Sequence, residues 1–210
     1  MTSGYDQETA ARLAAAGDEA LRAFARRTEP MGCLADQADA VASACHAMAV
    51  RFHQGGKLVV FGTGTASTDA QHVAVEFVHP VIVGKRALPA ISLTTDVATV
   101  TGIAERDGME AIFSHQLRYL AAPGDIALGI CATGRCRSVL AGLATARELG
   151  LLTIALTGRG SGAVADHVLR ADSDDPRVVK ELHVTMYHLL WELVHVFLEQ
   201  PGTLSPGVFA

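Results

Sequence analysis

A histidine and a carboxylate one helical turn apart are the first feature of this sequence that could do chemistry. His72 and Glu76 are four residues apart in a stretch of helical character, so both project from one face, where they could reach a sugar or share a metal ion. The same spacing also suits an ordinary solvated pair, and the sequence leaves both readings open. The neighbours Val73, Ala74, Val75 and Phe77 predict a largely buried helix, which raises the cost of an unpaired carboxylate and with it the interest of Glu76. Near the other end of the chain, Lys180, Glu181, His183, His188, Glu192 and His195 share one helical stretch, and most of them are expected to be solvated. Helical spacing puts His188, Glu192 and His195 on a common face. His188, flanked by Tyr187, Leu189 and Leu190, reads either as a satisfied core histidine, the commoner case, or as a catalytic one.

Three loops could hold an anion beside these groups: Gly62-Thr-Gly-Thr-Ala-Ser-Thr68 ahead of Asp69, Thr94-Thr95-Asp96, and Ala132-Thr-Gly-Arg-Cys-Arg-Ser138. Small and hydroxyl-bearing residues such as Thr63, Gly64 and Thr65 let the backbone approach an anion closely. The other reading of the first loop is a tight strand-to-helix turn with Ser67 or Thr68 as N-cap. A dinucleotide fingerprint is excluded, because G-x-G-x-x-G would need glycine where Ser67 stands.

The elements that must position these groups follow from hydrophobic periodicity. A first helix is predicted over about Gln7–Arg27, ended by Glu29-Pro30. A second runs from about Leu34 to Phe52, with a stripe of Ala38, Val41, Cys45, Met48 and Phe52 and a stop at Gly55-Gly56. Short apolar runs at Lys57–Phe61, Ala90–Leu93, Asp125–Ile130, Leu152–Leu156 and the weaker His167–Arg170 read as buried strands, separated by helix-compatible sequence that includes Asp69–Val78. Strands alternating with helices imply an α/β doubly wound parallel sheet. A last helix, Val178–Glu199, carries Val179, Leu182, Met186, Leu189, Leu190, Leu193 and Phe197 on one broad side and is closed by Pro201-Gly202. No repeat or linker divides the chain. One domain over residues 1–210 is therefore expected, with N-terminal oligomerisation helices over 1–55 and the α/β core and C-terminal helix over 56–200.

Composition narrows the function classes. The chain has 210 residues, half of them hydrophobic, and a net charge of −5 from 17 Lys and Arg against 22 Asp and Glu, so no basic stripe suggests direct nucleic-acid binding. The mean hydropathy is +0.27, yet every apolar run is interrupted short of a bilayer-spanning length, which points to buried surface and subunit contacts rather than a membrane. Cys33, Cys45, Cys131 and Cys136 form no C-x-x-C pair and the N-terminus has no secretory pattern, so a cytoplasmic location with reduced thiols is expected.

Taken in register and without gaps, Gly62-Thr-Gly-Thr-Ala-Ser-Thr-Asp-Ala-Gln-His-Val-Ala-Val-Glu76 resembles the phosphoheptose isomerase segment G-N-G-G-S-x-x-D-A-x-H-x-x-x-E. Leu93-Thr-Thr-Asp96, Ile103-Ala-Glu-Arg-Asp-Gly108, Ala144-x-Ala-Arg-Glu-Leu-Gly150, Thr157-Gly158 and Glu181-x-His183-x-x-x-x-His188 are similar to further stretches of that family. The resemblance implies the sugar isomerase (SIS) fold with a five-stranded sheet. It implies an acid/base pair on Glu76 and His188, and possible zinc ligands on His72, Glu76 and His188, with Lys180 at a fourth ligand position where the family has glutamine. Substrate contacts are implied at Thr63, Gly64, Thr65, Asp69, Asp96, Cys131, Thr133, Arg135 and Lys180. It further implies sedoheptulose 7-phosphate as substrate and a homotetramer with sites between subunits.

The sequence departs from the family in the binding loops. Cys131-Ala-Thr-Gly-Arg-Cys136 stands where the family has S-T-S-G-N-S and keeps one hydroxyl, Thr133. Arg135 and Arg137 either replace the lost donors at a phosphate or point to solvent. A cationic Lys180 beside a divalent ion is unfavourable, so it is expected to pair with Glu76 or hold an anionic ligand. Cys131 and Cys136 are either small buried replacements or, near His72 and His188, ligands for a soft metal. The expected function is a ketose–aldose isomerase-like activity on a sugar phosphate. The alternatives are a noncatalytic SIS scaffold with a drifted site, resembling the DnaA-binding initiation regulators, and a specialised isomerase for a different sugar.

Overall fold

The computed structural model describes residues 3–160, 162–200, 202 and 204. Five strands, β1 (Leu58–Gly62), β2 (Ala90–Ser92), β3 (Ile126–Cys131), β4 (Leu152–Gly158) and β5 (His167–Ala171), form one parallel sheet in the order β2-β1-β3-β4-β5. The five apolar runs are these strands, each within one or two residues of its expected ends. Every residue of β1, β3 and β4 is buried, as parallel strands covered on both faces require. Alternate side chains feed two cores. Leu58, Val60, Leu128, Ile130, Ile154 and Leu156 face α2 (Ala38–His53), α3 (Thr65–Val78) and α7 (Pro176–Glu199). Val59, Phe61, Ala127 and Ala155 face α4 (Val97–Asp107), α5 (Ile112–Leu120) and α6 (Arg137–Glu148). Fully burying one such large aliphatic or aromatic side chain stabilises the fold by about 1.5–3 kcal/mol.

The chain leaves β1 toward β2 on one side and reaches β3 on the other, so the topological switch lies at the carboxyl ends of β1 and β3, where open sheets bind ligands. Gly62 closes β1 there; a Cβ on it would lie 2.8 Å from the Ala66 carbonyl oxygen and 3.0 Å from that of Ile130. Only glycine lets the loop turn so tightly over the sheet.

The first helix departs from expectation. α1 (Ser3–Ala35) does not stop at Glu29-Pro30 but runs through Pro30 for another turn. Proline removes one backbone hydrogen bond, and tertiary ties hold the helix across it. Arg27 clasps Glu181 of α7 through Nε and Nη2, at 2.6 and 2.7 Å, and Leu34 is buried in the core. Just beyond, Gln37 donates to the Arg170 carbonyl at 2.8 Å and accepts from its N–H at 2.9 Å, fastening the α1–α2 turn to the edge strand β5. Pro201, expected to close the last helix, lies outside the described residues. Among the described residues no helix is long and apolar enough to cross a membrane.

Candidate active site

Helix α3 begins at Thr65, four residues before the expected Asp69, because Gly64 takes the left-handed conformation (φ 61°) and lets the helix start straight out of the turn. Ser67 and Thr68 are consequently not N-caps; their hydroxyls bond back to the Gly64 and Thr65 carbonyls, each at 2.7 Å. Helix α7 starts on a true cap, Asp175 accepting from the Arg177 N–H at 2.9 Å, with Pro176 in its first turn. These two helices face each other and exchange side chains at two levels.

At the lower level, Lys180 Nζ bonds Asp69 Oδ1 at 2.6 Å, the Thr65 carbonyl at 2.8 Å and Thr68 Oγ1 at 3.3 Å. Lys180 thus pairs with Asp69, so of the two expected roles, a pair with Glu76 or a hold on an anionic ligand, the first is not formed. Asp69 is buried, and its charge requires the partner. One level up, His72 Nδ1 lies 2.8 Å from Tyr187 Oη and His72 Nε2 lies 3.1 Å from Glu76 Oε1. With Glu76 ionised and accepting only, Nε2 carries the proton and Nδ1 accepts from the Tyr187 hydroxyl. Burial, reinforced by the charges of Asp69 and Glu76, pushes the Tyr187 phenol upward, so it stays a donor. The His188 ring stacks edge-on against His72 at 5.2 Å. Glu76 and His188 open on one cavity of about 380 Å³, shared with Val81, Ile82, Lys85, Trp191 and Glu192.

Ligand atoms of His72, Glu76 and His188 all lie within 4.8 Å of one another. Two imidazoles and a carboxylate so placed fit a zinc-type ion with a fourth position left open. Lys180, engaged as a cation by Asp69, supplies no donor to that group. Among the described residues this trio is the only metal-competent cluster of His, Cys, Asp and Glu. Cys131 and Cys136 stand outside it: the alternative of a soft-metal site shared with His72 and His188 is not formed, and Cys131 is a small buried residue, as the other reading had it, with Cys136 half-buried.

The remaining expected residues distribute around this centre. Thr63 and Gly64 line a cavity of about 220 Å³ over the first loop, with Ser67 and Thr94. Thr65 is exposed on the first turn of α3. Asp96 caps α4, taking the Ala98 and Thr99 N–H groups at 3.0 and 3.2 Å and the Thr99 hydroxyl, and the Thr99 bonds hold its carboxyl below the usual range. It lines a separate cavity with Gln116 and Tyr119, and is not brought to the trio. Cys131 is buried, while Thr133 and Arg135 are exposed on the loop before α6. Arg135 forms no ion pair among the described residues, whereas Arg137 is paired with Glu110 at 2.7 Å and does not reach for a ligand.

The expectation that most polar residues of α7 are solvated fails at two histidines. His183 and His195 are each 1% exposed, because α7 is enclosed by α2, α3 and the sheet. Burial pushes the His183 imidazole down, keeping it neutral. His195 is held between the carbonyls of Trp191 and Arg86 at 2.8 and 2.9 Å, so it fastens α7 to the segment before β2 two turns beyond His188 on the same side of the helix. Sequence reasoning missed Tyr187. Its signal was available: a tyrosine in a buried stripe must find a hydrogen-bond partner for its hydroxyl.

Fold and site together define a class: an α/β protein with a doubly wound parallel sheet that carries a cluster of two histidines and a carboxylate near the carboxyl end of β1. Residues 27–158 match the model of the SIS domain. The chain is 38% identical over 174 residues to the phosphoheptose isomerase of Solidesulfovibrio magneticus, covering 81% of this chain and 85% of that one. It is 40% identical over 150 residues to that of Aquifex aeolicus, covering 70% and 78%. A solved phosphoheptose isomerase from Francisella tularensis superimposes with a TM-score of 0.81 at 30% identity, over 86% of this chain and 98% of that one. The chain belongs to the phosphoheptose isomerase family of SIS-domain proteins.

Proposed function

We propose that this chain is a ketose–aldose isomerase acting on a sugar phosphate, with sedoheptulose 7-phosphate as the expected substrate. The convergence of Glu76 from α3 and His188 from α7 on one cavity carries the proposal. Glu76, 8% exposed, acts as the base that takes the C1 proton of the ketose and returns it to C2 through an enediol. His188 moves protons on and off the sugar oxygens. His72, oriented by Tyr187, donates to Glu76 and fixes the carboxylate against the substrate. A zinc ion held by His72, Glu76 and His188 would take the place of the proton shared between His72 and Glu76 and would supply polarisation of the substrate carbonyl. The loop of Thr63, Gly64 and Thr65 and the loop of Cys131, Thr133 and Arg135 supply backbone N–H groups and a guanidinium for the phosphate.

We further propose that the molecule works as a homotetramer in the cytoplasm. Helix α1 leaves Leu13, Leu21 and Phe24 between 68% and 72% exposed, an apolar surface suited to burial against other copies. The test of the activity is proton NMR of sedoheptulose 7-phosphate in D₂O with metal-free and zinc-loaded enzyme. Deuterium entering the carbon-bound position as aldose forms supports the enediol route. Absence of conversion in both samples sinks the proposal.

A further inference from the structure

Outside the histidine–carboxylate site, the loop joining β3 to α6 carries two thiols. Cys131 ends β3 and Cys136 stands immediately before α6. Thr133 Oγ1 between them lies 3.7 Å from Cys131 Sγ and 3.8 Å from Cys136 Sγ. The Cys136 backbone N–H donates to Cys131 Sγ at 3.1 Å, which brings residue 136 back against the Cys131 sulfur. Gly134, with φ at 64°, lets the loop fold back so that residues five apart in sequence meet. Cys131 is 2% exposed, and burial, with the Cys136 contact added, pushes its thiol upward. Cys136 is the half-buried member that solvent reaches. The other two cysteines lie on α1 and α2.

We propose that Cys131 and Cys136 are a redox-active pair, closed to a disulfide by hydroperoxides and reopened by thiols. The Cys136 thiolate attacks a peroxide oxygen, the O–O bond breaks, and Cys136 becomes a sulfenic acid as hydroxide departs. Cys131 sulfur then attacks Cys136 sulfur; the S–S bond forms, the S–O bond breaks, and the departing hydroxide takes the Cys131 proton as water. Overall, two thiols and one hydrogen peroxide give one disulfide and two waters. Closure converts the sulfur that accepts the Cys136 N–H into a bonded one and removes both thiol neighbours of Thr133. It thereby reshapes the amino end of α6. Only the consequence for turnover rests on the proposed isomerase reading, which assigns that loop to the substrate phosphate.

Trypsin cuts after Arg135, between the two cysteines, so a disulfide must join peptide 119–135 to the dipeptide Cys136-Arg137. Full-length protein is treated with hydrogen peroxide in slight excess, its remaining thiols are alkylated, and the digest is run without reductant. The linked pair is expected to dominate and to disappear with dithiothreitol. Cys136 driven on to sulfinic acid without a link, a link to Cys33, or both thiols still alkylated would overturn the pair. Turnover of sedoheptulose 7-phosphate is expected to fall about tenfold on oxidation, the size of one lost hydrogen bond to a charged group, and to recover on reduction. A disulfide that leaves turnover unchanged overturns the coupling. Absence of turnover in the reduced protein counts against the isomerase reading, while the peptide map still decides the pair.

Discussion

Replacing Tyr187 by phenylalanine removes one hydroxyl from a side chain that is 2% exposed and leaves His72 Nδ1 without its donor. The ring and its packing remain, so no cavity forms beyond a single oxygen. The net loss of such a bond is about 1 kcal/mol. His72 is itself 42% exposed at the side chain, and water can partly replace the hydroxyl, which keeps the stability cost at that low end. For a chain of this size about 1 kcal/mol corresponds to a fall in Tm of about 2–4 °C. The effect on function should be larger, because Tyr187 holds the His72 ring in place against Glu76 and His188. Losing a group that orients a catalytic or metal-binding histidine costs about 10- to 100-fold in activity or metal affinity. Calorimetry gives the first quantity; kcat/KM, and zinc affinity by competition with a chromophoric chelator, give the second. A Tyr187→Phe protein with wild-type kcat/KM and wild-type zinc affinity would refute the role given to this hydroxyl.

The Lys180–Asp69 pair predicts a different pattern. Asp69→Asn takes away the counter-charge and leaves the ammonium only neutral acceptors, including the Thr65 carbonyl and the Thr68 hydroxyl, and because Lys180 is a third exposed the cost is about 2 kcal/mol, below that of breaking a fully buried pair; denaturant unfolding should show it, and Asp69→Asn with Lys180→Met should recover part. His183 predicts a pH effect. Its folded pKa is lowered by burial, so as pH falls through about 6.5 the unfolded chain takes up a proton that folded His183 refuses, and stability falls. Tm measured between pH 7.5 and 5.5 should drop less in His183→Gln than in the wild type, and equal slopes would count against a neutral buried imidazole. For α1, light scattering should find a multimer well above the 22.0 kDa chain mass that Leu21→Glu with Phe24→Glu dissociates; a wild-type monomer would contradict the assembly.

The sheet was legible because its inner strands β1, β3 and β4 are buried on both faces and so read as short continuous apolar runs, while the half-exposed edge strand β5 gave the weaker signal. The helix ends were less so. Local rules stop α1 at Pro30 and start α3 at Asp69, whereas tertiary ties through Arg27, Leu34 and Gln37 carry α1 past the proline, and the left-handed Gly64 starts α3 early. At the candidate site, His72 and Glu76 were legible as a pair because one helical turn joins them. His188 entered through the family resemblance, since nothing in helical spacing says which residue of α7 faces α3. The pairings Lys180–Asp69 and Tyr187–His72 join residues 111 and 115 positions apart, beyond the reach of any local pattern. His183 and His195 were misplaced for the same reason: α7 is enclosed on more sides than its amphipathic pattern implies.

The central claim is that Glu76 and His188 interconvert a ketose and an aldose phosphate. Its most direct test is the turnover of sedoheptulose 7-phosphate, with and without zinc, by the wild type beside Glu76→Gln and His188→Ala, all checked to be folded. Conversion by the wild type that falls by about 10²- to 10⁴-fold in each variant, the range of a lost general acid or base, is the predicted result. Wild-type rates in the folded Glu76→Gln protein would contradict it.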